Sequence, residues 1–153
     1  ISNLEKLYLS LKKLDLKIVD TNIYYEKSYK LGIAQKKNSK LKDKIFGVEC
    51  NFEELNAIDF KKGCFVGQEN TSRIRLRNKL RRRLLPLKVK EGNILEGDLI
   101  KFNNKEVGRI LIPDPFPFAI IKVTDPNINE FLNKELLCGS AKVEVIKPEW
   151  LKL

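Results

Sequence analysis

Leu99-Ile100-Lys101-Phe102-Asn103-Asn104-Lys105-Glu106-Val107-Gly108-Arg109-Ile110-Leu111-Ile112 is the stretch that decides the fold class. Two runs rich in strand-favouring residues, Leu99–Phe102 and Glu106–Ile112, stand on either side of a pair of asparagines, which are turn formers. The same alternation of short apolar runs and turn signals extends in both directions. Upstream lies Leu84–Val89, followed by Gly92 and Gly97-Asp98; downstream lie Phe118–Val123 and Lys142–Ile146, set off by Pro113-Asp114-Pro115 and Asp125-Pro126. Five or six closely spaced strands of this kind predict a small, closed or nearly closed antiparallel barrel over residues 79–153.

The first half reads differently. Ser2 and Glu5 form a capping-box pattern, and Leu4, Leu7, Leu11 and Leu14 recur on one face, which predicts an amphipathic helix with that stripe in the core. Leu16–Val19 is a short strand candidate. Thr21 or Asn22 would cap a second helix ending near Leu31, with Gly32 as its stop. Residues 35–44 carry many lysines and no apolar period, as an exposed loop would. Phe52–Ala57 suggests a helical turn, and Ile58-Asp59-Phe60 an extended lead. The expected class is therefore α+β, a helix and strand region over residues 1–78 followed by a small antiparallel β-barrel.

Composition narrows the chemistry. The chain of 153 residues has no histidine, so His-based zinc sites and His general bases are excluded within it. Three widely spaced cysteines, Cys50, Cys64 and Cys138, argue against a disulfide framework and for a reducing compartment, giving a cytoplasmic expectation. No apolar run approaches transmembrane length, and no membrane association is expected. The absence of Met, including at position 1, suggests a piece of a longer protein. The formal net charge is +10. Lysines are spread throughout, but six of the seven arginines fall between Arg73 and Arg83, and Glu69 is the only acid between Lys61 and Lys90. That local field implies an anionic partner.

At the junction of the two halves stands Lys61-Lys62-Gly63-Cys64-Phe65-Val66-Gly67-Gln68-Glu69. A cysteine between two glycines and beside two lysines has the flanks of a reactive thiolate: Gly63 can take φ > 0, Gly67 permits close backbone approach, and the lysines favour the anion. Two readings of the next residues remain open. Arg73, Ile74, Arg75, Leu76 and Arg77 alternate as a strand would, whereas a helix from Gly67 would bring Glu69 and Arg73 together at i,i+4.

Lys62 to Glu69 resembles the signature of the YgfZ family: KGC, an aromatic, any residue, then GQE. These are folate-binding relatives of the glycine-cleavage aminomethyltransferase that act in the assembly or repair of iron–sulfur proteins. Glu49-Cys50-Asn51, Leu55-Asn56 and Asp59-Phe60 are similar to the family's lead-in to that signature, and the Arg73–Arg83 run with Gly92, Gly97 and Gly108 resembles its crossover into a barrel. One departure is Lys30-Leu31-Gly32, where related folate enzymes carry Glu-Ala-Gly.

The resemblance implies that residues 1–78 are the later part of an aminomethyltransferase-like folate-binding region, with an N-terminal domain of the same protein as a partner. It implies Cys64 as the functional cysteine, with Lys62 assisting, and Gly63, Phe65, Gly67, Gln68, Glu69 and Arg73 as cofactor-binding positions for tetrahydrofolate or a derivative. Cys64 would serve at most as a transient cluster ligand, because a four-iron cluster wants four cysteines. Iron–sulfur carrier or client proteins are the expected partners, and an assembly factor is expected rather than a turnover enzyme. The alternatives are a folate-dependent aminomethyl transferase and a nucleic-acid-binding module using the Arg73–Arg83 patch. The latter is disfavoured because no aromatic run lies among the arginines for base stacking.

Overall fold

The computed structural model describes residues 2–62, 72–73 and 80–152. Its centre is a closed six-stranded antiparallel barrel. The strands are β1 (Arg82–Glu91), β2 (Leu99–Phe102), β3 (Lys105–Ile112), β4 (Phe118–Lys122), β5 (Leu136–Cys138) and β6 (Ala141–Val145), in the order β1-β4-β3-β2-β5-β6. The expected α+β class with a small barrel is what forms. Asn103 and Asn104 both take positive φ, at 48° and 64°. That is the pairing of a tight two-residue hairpin turn, and it joins Phe102 to Lys105 in register. Gly108 is needed where β3 crosses β4: a Cβ there would lie 2.7 Å from the Ile120 carbonyl oxygen.

Inward residues of the strands, among them Leu85, Leu87, Ile100, Val107, Ile121 and Val143, fill the barrel. Ile94, Ile128, Phe131 and Leu151 close it. Burying each large apolar side chain stabilises the fold by roughly 1.5–3 kcal/mol. β1 differs from its neighbours because Leu84, Leu85, Pro86 and Leu87 are all buried. A strand buried on both faces needs a cover on the outside. The first half supplies it: Tyr29, Ala34, Leu41, Ile45 and Cys50 pack with Leu84, Leu111, Ile112, Phe118 and Ile120 in a second apolar cluster.

Helix α2 (Thr21–Lys30) carries that cover. Its N-cap is Asp20, whose carboxylate accepts from the Asn22 N–H at 2.6 Å, and not Thr21 or Asn22 as expected. An acid there also complements the helix dipole. Its end follows expectation. Gly32 at φ +72° lets its own N–H reach the Tyr29 carbonyl at 2.9 Å and the Ile33 N–H reach Ser28 at 2.8 Å, a Schellman closure. The tail crosses this end, with the Trp150 indole N–H donating to the Leu31 carbonyl at 2.8 Å.

Two expectations for the first half are corrected and a third is extended. Helix α1 (Asn3–Lys12) forms with its capping box intact, but no residue of it is buried, and Leu4, Leu7, Leu11 and Leu14 are exposed. The amphipathic pattern is present, but none of the described residues covers its apolar face. Leu16–Val19 forms no strand, because no partner edge is offered to it. Residues 35–44 are mostly exposed, as expected, but they are tied down onto the barrel. A 3-10 turn at Asn38–Leu41 buries part of Leu41 against the barrel, while Lys40 and Lys44 both pair with Glu96 at 2.5 Å and Lys37 pairs with Asp114. Among the described residues, no helix is long and apolar enough to cross a membrane.

Candidate functional site

Gly63, Cys64, Phe65, Gly67, Gln68 and Glu69 lie outside the described residues, as does the question of helix or strand at residues 74–77. The structure does describe residues on either side of them. On the entering side, the Asp59 carboxylate accepts from the Lys61 N–H at 2.8 Å. This i,i+2 bond is an Asx turn, which sets the direction of the chain into Lys62. Lys61 and Lys62 are both exposed, as is Arg73.

On the leaving side, β1 begins at Arg82, and its first residues are clamped by residues 46–56. That segment is a series of tight turns. Asn51 and Asn56 hold positive φ at 63° and 56°, and the Phe46 carbonyl accepts from Glu49 and Cys50 at 2.9 and 3.1 Å. Asparagine suits such positions because its short amide tolerates the left-handed region. The turns aim three side chains at β1. Glu49, buried, accepts through Oε2 from the Phe46 N–H at 3.0 Å and through Oε1 from Arg82 Nε and Nη2 at 2.9 and 2.8 Å. Asn51 is fully buried and accepts from Arg83 Nη1 at 2.9 Å. Glu54 pairs with the same Arg83 Nη1 at 2.5 Å. Its Oε2 is buried without a hydrogen-bond partner among the described residues.

The backbone between the arginines' anchors is also taken up. The Leu84 N–H donates to the Glu49 carbonyl at 2.8 Å, and the Leu84 carbonyl accepts from Asn51 Nδ2 at 2.8 Å. Residues 49 and 51 thus behave like a neighbouring strand towards the side of β1 that the barrel leaves open before the pairing with β6 begins at Leu87. Three charge-assisted contacts and two bonds to the Leu84 backbone make the start of β1 stiff. Sequence reasoning placed Glu49, Cys50, Asn51 and the arginines near the loop through the family resemblance. The pairing of acid with arginine across 33 positions had no local signal.

The two described cysteines are poor nucleophiles. Cys50 is half-buried, and burial first, then the neighbouring Glu49 charge, push its thiol up to about 11. Cys138 is buried in the barrel, where burial and then Asp98 push it up to about 11. Both therefore stay protonated near neutral pH. Among the described residues, no three Cys, Asp or Glu side chains are grouped to hold a metal.

Beside Cys50 a cavity of about 320 Å³ opens, with Ile33, Ala34, Leu41, Phe52, Leu55 and Leu84 on its walls. Its polar side chains are Asn38 and Lys42. A pterin displays an amino and ring N–H edge that calls for a buried carboxylate, and no acid lines this cavity. Among the described residues, this one cavity therefore offers no acid to pair with such an edge.

No family model matches the chain. Curated proteins do. It is 39% identical over 74 residues to an iron–sulfur cluster assembly factor IBA57 homologue, mitochondrial, from Pyricularia oryzae, covering 48% of this chain and 19% of that protein. The corresponding homologue of Chaetomium globosum is 34% identical over 95 residues, 62% of this chain and 22% of the relative. For Phaeosphaeria nodorum the identity is 30% over 111 residues, 72% of this chain and 26% of the relative. The matches thus span about a quarter or less of the length of these relatives. Their names also overturn the cytoplasmic expectation, since each is described as mitochondrial. Cysteines kept reduced do not distinguish the cytosol from the mitochondrial interior, which is why composition misled. Over its matched segments the chain is a homologue of the IBA57-type iron–sulfur cluster assembly factors of the YgfZ family, the family that Lys62–Glu69 resembles.

Proposed function

We propose that this chain acts in a mitochondrial factor for the assembly or repair of iron–sulfur proteins, with Cys64 as its working thiol. The observation that carries this reading is the similarity to IBA57 homologues, together with the octapeptide Lys62–Glu69. The geometry supports it in two ways. Cys50 and Cys138 are raised thiols held by packing, so Cys64 is the remaining cysteine for chemistry. The Glu49–Arg82 and Asn51–Arg83 contacts also fix the start of β1, which follows Cys64 in the chain.

The cluster is cargo in this reading. Cys64 would give one thiolate to it, while carrier or client proteins give the remaining ligands, since one sulfur cannot hold four irons. Lys61 and Lys62 would favour the thiolate by their charge. Gly63 and Gly67 would let the backbone approach the cargo, and Gln68, Glu69 and Arg73 would orient the loop. Tetrahydrofolate or a derivative is the cofactor that the resemblance implies.

The deciding experiment replaces Cys64→Ser in the full-length gene and measures several mitochondrial [4Fe–4S] enzymes beside glycine-cleavage flux. Loss of the cluster enzymes with normal glycine cleavage is expected. Cluster enzymes at wild-type activity would remove Cys64 from the mechanism, and loss of glycine cleavage alone would point to aminomethyl transfer instead.

A further inference from the structure

On the outer face of the barrel, three adjacent strands bring cations together. Arg82 of β1 stands directly opposite Lys122 of β4, and Arg109 of β3 stands opposite Ile120, two residues before Lys122. Residues opposite in an antiparallel pair share a face, so these three side chains rise from one surface. Like charges directly opposite across a ladder destabilise it. With Lys44, they rim a cleft of about 520 Å³ whose floor includes Leu111 and Ile120.

Glu96 and Glu106 also line the cleft, and the carboxylates nearby neutralise only part of the rim, leaving Arg109 and Lys122 as its less closely paired cations. Glu96 is engaged by both Lys40 and Lys44 at 2.5 Å. Glu106 lies 4.0 Å from Lys122, whose Nζ instead donates to the Glu106 backbone carbonyl at 2.9 Å. Arg82 is paired with the buried Glu49 at 2.8 Å. Arg109 is exposed and has no carboxylate partner among the described residues.

We propose that this cleft docks an acidic segment of a partner protein, with an apolar side chain of that segment between two carboxylates. Charge complementarity selects an anion. The apolar floor selects a peptide over a bare phosphate, which would gain nothing from Leu111 and Ile120. The barrel is closed, so among the described residues its strand edges are taken up and recognition runs through side chains. No aromatic residue lines the cleft, which leaves nothing for a nucleic-acid base to stack on. The inference stands apart from the role of Cys64.

The test is a titration of the isotopically labelled chain with the capped peptide Glu-Asp-Leu-Glu-Asp, followed by amide chemical shifts. Saturable shifts confined to the start of β1, the middle of β3 and β4 are expected. Arg109→Gln should weaken the affinity several-fold and Arg109→Glu with Lys122→Glu at least about tenfold, the scale of close interfacial charge pairs. Replacing the peptide's Leu by Ser should weaken it as well. Lys13→Glu, at the C-cap of the first helix and not among the cleft's lining residues, should leave it unchanged. Equal weakening by Lys13→Glu would overturn the proposal in favour of net charge alone. Equal shifts from inorganic phosphate would overturn it in favour of a simple anion site, and tighter binding of a dT10 oligonucleotide to the same amides in favour of nucleic acid.

Discussion

Asn51 stands towards Leu84 as a strand residue would: its Nδ2 donates to the Leu84 carbonyl at 2.8 Å, two residues after the Glu49 carbonyl has accepted the Leu84 N–H. A side-chain amide and a backbone carbonyl together replace the missing strand. This couples residues 49–51 to the start of β1. Because Asn51 is fully buried, the bond is made where water cannot substitute for it.

Asn51→Ala should therefore be costly. It strands the Leu84 carbonyl, removes an acceptor from Arg83, and places alanine at φ 63°. Unsatisfied buried groups cost about 1–3 kcal/mol and the left-handed backbone about 1 more. A loss of about 3 kcal/mol is expected in urea denaturation. Asn51→Asp keeps the acceptor for Arg83 but not the donor for Leu84, so it should fall between the two. An Asn51→Ala protein as stable as the parent would remove the clamp from the account.

Gly32→Ala tests the crossing of the tail over α2. Glycine is required there by φ +72°, and a Cβ would lie 2.6 Å from Pro148 Cγ. Either the helix end or residues 148–151 must shift. Destabilisation above about 1 kcal/mol is expected. Since Trp150 is the chain's one tryptophan and donates to the Leu31 carbonyl, its fluorescence should change with it. Unaltered emission would mean that the tail does not dock on α2.

The barrel was legible because each strand obeys a local rule: a short β-favouring run, closed off by Asn, Gly or Pro. Leu136–Cys138 escaped because three residues are too few to establish a period, and it is held by its neighbours β2 and β6. The leucine stripe of α1 predicted a helix correctly but not its surroundings, since periodicity says which face is apolar and nothing about what meets it. The lysines of residues 35–44 looked solvated because their partners, Glu96 and Asp114, are more than fifty positions away. The same holds for the clamp. Glu49, Asn51 and Glu54 meet Arg82 and Arg83 only after the barrel has closed.

The cysteines should differ in their pH response. With the folded thiols of Cys50 and Cys138 raised to about 11, each ionises in the unfolded chain before it does so in the fold. Between the two values the unfolded state binds fewer protons, so stability is fully present below the ordinary thiol range, near ~8.5, and declines as pH rises towards 11. Alkylation by iodoacetamide at pH 7.5 should be slow at Cys50 and negligible at Cys138, and fast at Cys64 if its lysines favour the thiolate. Site-resolved mass spectrometry reads all three. Cys50 labelling as fast as a free thiol would contradict its raised value, and slow labelling at Cys64 would count against its role.

Arg83 and Glu54 offer the sharpest test of the clamp's energetics, because both side chains are largely buried, 14% and 26% exposed. Arg83→Ala leaves the Glu54 carboxylate without its cation and with Oε2 already unpartnered among the described residues. Breaking such a pair from one side costs about 3–5 kcal/mol when it is fully buried, and about 2–3 kcal/mol is expected at this exposure. Replacing both, Arg83→Leu with Glu54→Leu, removes the stranded charge and should restore much of that loss. A thermodynamic cycle on alanine variants should therefore show coupling above about 1 kcal/mol, as expected for contacting residues. Additive effects would mean that the pair is solvated, and Asn51 would then be the sole anchor of Arg83 in the clamp.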